Sequence, residues 1–131
     1  MTTKELRLNN LIQTSYEGIL IIQGIAPDQV YACREIGLPT GRYSLASIQP
    51  IELSEEWLLR LNFKKGGDTI FRYPFSGSIL LVLFKTEGIQ VGIVYNGTIS
   101  GGSINLPHVK YLHQVQNLIF DLTGQELHIK I

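Results

Sequence analysis

Cysteine is almost missing from this chain: Cys33 is the single one among 131 residues. That excludes an intramolecular disulfide and leaves a cysteine-based zinc site without ligands. Its neighbours have strand character, so Cys33 reads as an inert packed thiol rather than a nucleophile. An excess of charge is missing as well, since eleven Lys and Arg balance eleven Asp and Glu. No global field draws such a chain onto nucleic acid or an anionic membrane, although local basic patches are compatible with the balance. Long apolar runs are lacking too: none reaches the roughly 20 uninterrupted residues that span a bilayer. The opening MTTKELRLNN has no apolar core of signal-peptide length, which makes a cytoplasmic location the expectation.

Recognisable catalytic patterns are also wanting. No serine sits in a nucleophile-elbow frame, and the glycine-rich segments lack the Lys and Ser/Thr of a phosphate loop. His108, His113 and His128 have no Cys or carboxylate at ligand spacing, and on one helix His108 and His113 point about 140° apart. Glu55 and Glu56 are explained by a helix N-terminus, where acids face the positive end of the dipole. The expectation is a non-catalytic protein with no metal and no cofactor.

What is present describes an ordinary globular domain, 44% hydrophobic and 17% charged with 13 glycines. At this length one core is enough, and folding buries roughly two-thirds of the extended chain's surface. Residues 6–48 alternate β-rich runs with turn residues and predict strands at Leu6 to Gln13, Gly18 to Ile25, Gln29 to Arg34 and Tyr43 to Ile48. Ser54 as N-cap predicts a short helix over 54–62, with Trp57, Leu58 and Leu61 on its buried face. Lys64 to Asp68 reads as a polar loop. Residues 69–95 read as three strands, and the middle run Ile79 to Phe84, apolar on both faces, suggests a central position. Asn96-Gly97 resembles a hairpin turn.

A helix over 108–123 follows, with Pro107 near its first turn. Val109, Leu112, Val115, Leu118, Ile119 and Leu122 form one apolar stripe, and Gly124 is its C′ residue. Leu127, Ile129 and Ile131 alternate with polar residues and suggest a final strand over 126–131. The predicted class is α+β in one domain: a mostly antiparallel β-sheet or partial barrel of about seven or eight strands, with two helices, the longer one C-terminal.

Three segments carry a resemblance: Glu5 to Ile12 (ELRLNNLI), Ile48 to Phe63 (IQPIELSEEWLLRLNF) and Tyr111 to Leu127 (YLHQVQNLIFDLTGQEL). In order and spacing they are similar to a family of small uncharacterised proteins of Bacteroidota and their phages and prophages. The resemblance implies no catalytic residues, and it leaves 64–108 unmatched.

Two constellations are candidate binding residues. Lys64, Lys65, Arg72 and Tyr73, with Phe75, interleave cations and aromatics on a loop and the strand after it, a surface able to hold a phosphate and stack a base. Strand alternation places Phe71, Tyr73 and Phe75 on one face and Arg72 on the other, which argues against all of them acting together. His113, Gln116 and Asn117 lie on the polar face of the last helix, where amides either read a ligand edge or bond neighbouring loops to fix the helix.

Small size, the lack of a catalytic pattern and the phage-like resemblance lead to the expected function. It is a non-catalytic phage- or prophage-type binding protein that sequesters a small anionic, nucleotide-like ligand to oppose host defence. The alternative is a protein-interaction or assembly module that docks on a host or phage protein through a strand edge. A homo-oligomer is expected with the first, because one small core leaves little room for a deep cavity.

Overall fold

The computed structural model describes residues 1–94 and 103–125. Among these residues the chain is α+β, with two helices and two antiparallel sheets of four and five strands, neither closed into a barrel. The expected antiparallel sheet is thus realised as two. The hairpin at Asn96-Gly97 and the final strand over 126–131 lie outside the described residues. The chain forms two compact units, Met1–Glu52 with Tyr111–Asn117, and Leu53–Lys110 with the rest of the last helix.

The first unit holds β1 (Leu11–Thr14), β2 (Gly18–Ile25), β3 (Gln29–Cys33) and β4 (Gly41–Ser44), paired in that order. Alternation sends Ile12, Leu20, Ile22 and Ala32 into one apolar cluster with Val30, closed by Leu6 and Ile48. Gly18, with φ of 75°, makes the β1–β2 turn in the left-handed region that a side chain disfavours. Two expected strands are shorter than their sequence pattern. Leu6 to Asn10 precedes β1, because Asn9 takes a positive φ of 71° and interrupts regular extension. Beyond Ser44 the chain turns into a short 3₁₀ segment, Leu45–Ser47.

The second unit opens with α1 (Glu55–Arg60). The Ser54 hydroxyl accepts from Trp57 N–H at 3.3 Å, and Glu55 and Glu56 fill the first turn. Asn62 ends the helix at φ 68°, where Phe63 N–H returns to the Leu58 carbonyl (3.0 Å). Leu58 and Leu61 are buried, and half-buried Trp57 carries the Arg60 guanidinium 4.9 Å from its ring centroid. The five-stranded sheet follows: β5 (Lys64–Lys65), β6 (Ile70–Phe75), β7 (Ser78–Lys85), β8 (Gly88–Val94) and β9 (Ser103–Asn105). Its buried face carries Phe71, Leu80, Val82, Val91 and Ile93.

The long helix α2 spans Leu112–Thr123 and starts four residues later than the expected 108. The Leu106 to Val109 segment makes its own turn, with Val109 N–H bonded to the Leu106 carbonyl. The helix begins where the Gln114 side chain reaches back to Tyr111 N–H at 3.0 Å, half of a capping box. His108 therefore lies before the helix, and the expected angular relation between His108 and His113 does not arise. Gly124 stops α2 at φ 71°, donating to the Phe120 carbonyl. No helix among the described residues is long and apolar enough to cross a membrane.

Candidate anion site on the second sheet

The Lys64 to Asp68 loop is where local sequence misleads most. Lys64 and Lys65 form a two-residue strand in register with β6, Lys64 opposite Arg72 and Lys65 opposite Phe71. Gly66 N–H extends the ladder to the Ile70 carbonyl at 2.8 Å. Two residues carry no periodic signal of their own, so only pairing reveals the strand.

This register sorts the four candidates. Directly opposed residues share a sheet face, so Lys64 and Arg72 project on one side and Lys65 and Tyr73 on the other. Lys65 is spent: its ammonium donates to Glu55 of α1 at 2.8 Å, and that hydrogen-bonded carboxylate raises its pKa above the ordinary lysine value. Tyr73 is half-buried, its ring 5.4 Å from that of Phe63. Both are held by the packing of α1 and the sheet.

Lys64 and Arg72 are both exposed, and neither forms an ion pair with the described residues. Two cations directly opposed across a strand pair repel, and an anion between them relieves that repulsion. The Arg72 side chain lies across Gly66, where an added Cβ would stand 2.9 Å from Nε and 3.1 Å from Cζ. Glycine at 66 is therefore the condition for this guanidinium position. On the same face Arg72 is followed in register by Leu81 of β7, flanked by Ile79 and Leu83, all half-buried. The surface thus joins a cation pair to an apolar shelf, the two chemistries of a phosphorylated ring compound.

The second constellation is occupied internally. Gln116 Oε1 accepts from Leu11 N–H (2.9 Å) while its Nε2 donates to the Asn9 carbonyl (3.3 Å). Asn117 Oδ1 accepts from Asn10 Nδ2 (2.8 Å), and Asn117 Nδ2 donates to the Glu5 carbonyl (3.0 Å). Asn10 is itself buried and caps Arg7 N–H through its Oδ1 at 2.7 Å. Both helix amides thus satisfy the backbone of the irregular entry to β1. His113 is only 1% exposed, lies parallel to the Tyr111 ring, and has no hydrogen-bond partner among the described residues for either ring nitrogen. Burial pushes its pKa below the usual histidine value, which Glu5 partly opposes. The polar face of this helix is covered by residues 5–11, a contact that no local pattern reports.

Among the described residues no group of three His, Cys, Asp or Glu side chains converges as a metal site. No family model matches the chain, and no match was found among curated proteins or solved structures.

Proposed function

We propose that this is a non-catalytic binding protein that holds a small anionic, nucleotide-like ligand on the Lys64 and Arg72 face of its five-stranded sheet. The observation that carries the reading is the register Lys64 opposite Arg72, two exposed cations on one face without an ion pair among the described residues. The adjoining Ile79, Leu81 and Leu83 supply an apolar rest for the ring portion of such a ligand. Sequestration of a nucleotide signal against host defence is the setting that the resemblance to phage proteins adds. A homo-oligomer belongs to the same reading, since a shallow sheet face becomes a closed site when a second copy covers it.

Calorimetric titration with a panel of nucleotides and cyclic dinucleotides tests it. Binding by the native protein is expected for at least one phosphorylated compound, weakened about tenfold or more in Arg72→Ala and Lys64→Ala. Absence of binding across the panel, or equal binding by both variants, defeats the reading. A stoichiometric protein captured by the ligand-free chain would instead favour the interaction module. Light scattering at micromolar concentration checks the oligomer, which a monomer contradicts.

A further inference from the structure

The first unit contains a cavity of about 390 Å³ beside β3 and β4, within the size range of small-molecule sites. Its accessible apolar side is made by the exposed Leu38 and Pro39, while Leu20, Ala32 and Cys33 lie buried beneath its floor. Polar groups enter from three directions: Glu17 from the β1–β2 turn, Arg34 from the end of β3, and Tyr43 from β4.

Their positions are set by the fold. Glu17 is fixed in its turn by Thr14, whose hydroxyl accepts Glu17 N–H at 3.0 Å. The Tyr43 hydroxyl donates to the Glu17 carboxylate, which also raises the phenol's pKa above its ordinary value. Tyr43 lies across Gly41, where an added Cβ would stand 2.9 Å from the phenol oxygen, so glycine at 41 leaves room for the ring. Arg34 is exposed and forms no ion pair with the described residues, Glu17 included. A carboxylate and a guanidinium therefore line one small cavity without neutralising each other.

That combination selects among ligands by charge. A phosphorylated dianion meets repulsion from Glu17, a simple cation meets Arg34, and an uncharged apolar molecule leaves both charges unused. A molecule with an anionic and a cationic end and an apolar body satisfies every wall. We propose that this cavity binds a free α-amino acid with an apolar side chain. Arg34 takes its carboxylate, Glu17 takes its ammonium, and Leu38 and Pro39 receive its side chain. The site is separate from Lys64 and Arg72 in residues and in ligand chemistry, so either proposal stands or falls without the other.

The test is calorimetric titration of the full chain with L-leucine and L-phenylalanine, beside N-acetyl-L-leucine and L-leucine amide, each lacking one charge. The urea midpoint of the same chain rises with any ligand that binds the folded state alone, so it reports occupancy independently. Expected are binding of at least one free amino acid, a raised urea midpoint in its presence, and about tenfold weaker binding for Glu17→Gln, Arg34→Ala and both blocked compounds. Glu17→Gln keeps an acceptor for Tyr43, so its loss reports charge rather than a broken turn. Absence of both heat and a raised urea midpoint overturns the proposal. Binding that survives N-acetylation or amidation overturns it too, because the ligand's two charges are then not what the cavity reads.

Discussion

The helix amides Gln116 and Asn117 and the cations Lys64 and Arg72 read alike in sequence, as polar side chains that either meet a ligand or serve the fold. The structure gives them opposite fates. Both amides are engaged by the backbone of residues 5–11, whereas Lys64 and Arg72 face each other without an ion pair among the described residues. The difference lies in what backbone is nearby. An irregular segment such as Leu6 to Asn10 leaves donors and acceptors outside a ladder, and buried ones must be met by side chains. The β5–β6 pair bonds backbone to backbone through its ladder, so Lys64 and Arg72 are not drawn into that role.

Substitutions that break this contrast begin with the amides. Asn117→Ala removes the partners of Asn10 Nδ2 and of the Glu5 carbonyl, and a loss of about 1–3 kcal/mol is expected in urea unfolding. Nucleotide binding is expected to persist in the folded variant. Arg72→Ala should do the reverse, weakening anion binding about tenfold or more while stability moves by no more than about 0.5 kcal/mol. If Arg72→Ala unfolds the protein while Asn117→Ala abolishes binding, the assignment of the two regions is inverted.

His113 sharpens the same comparison through pH. Its folded pKa lies below the ordinary 6.5, so the unfolded chain binds the proton more readily than the folded one. Its neutral form contributes full stability above pH 6.5, and that stability is lost as pH falls from there through the folded value. Urea midpoints across pH 5–8 should show this slope, and His113→Leu should flatten it; a slope unchanged in that variant assigns it to other groups. A finer perturbation is Gly66→Ala, whose Cβ would meet Arg72 Nε at 2.9 Å. Displacing the guanidinium should weaken anion binding by a few-fold, less than Arg72→Ala does, and an unaltered affinity would show that its position over residue 66 is immaterial. Glu55→Gln, which removes the charged partner of Lys65, is expected to change binding least, because Lys65 projects from the opposite face.

The extent to which sequence reveals this protein varies by element. Ser54 with its two acids announces α1, and Gly124 marks the end of α2, because caps act within one helical turn. The hairpin block from β6 to β8 is legible because its turns and apolar runs are local. Less visible is the start of α2, which depends on the Gln114 side chain closing on Tyr111 N–H and on Tyr111 pairing with Glu52. The two-residue β5 is invisible without its partner. The segments Glu5 to Ile12, Ile48 to Phe63 and Tyr111 to Leu127 also acquire a meaning only in three dimensions. Residues 5–11 bond to Gln116 and Asn117, and the Ile51 carbonyl accepts Leu112 N–H at 2.8 Å, so all three segments meet at the start of α2.

By itself, the sequence determined what depends on neighbours along the chain: the α+β class, the Ser54 cap, the Gly124 stop, the turn glycines and the apolar faces that drive burial. The tertiary structure alone decided which polar groups are spent and which have no partner among the described residues. Lys64 came to oppose Arg72 through strand register, His113 was buried by the fold, and Glu17 and Arg34 were brought to one cavity by a turn and a strand end distant in sequence. Hydrogen-bond satisfaction and charge pairing are properties of a through-space neighbourhood, and no local pattern along the chain encodes that neighbourhood.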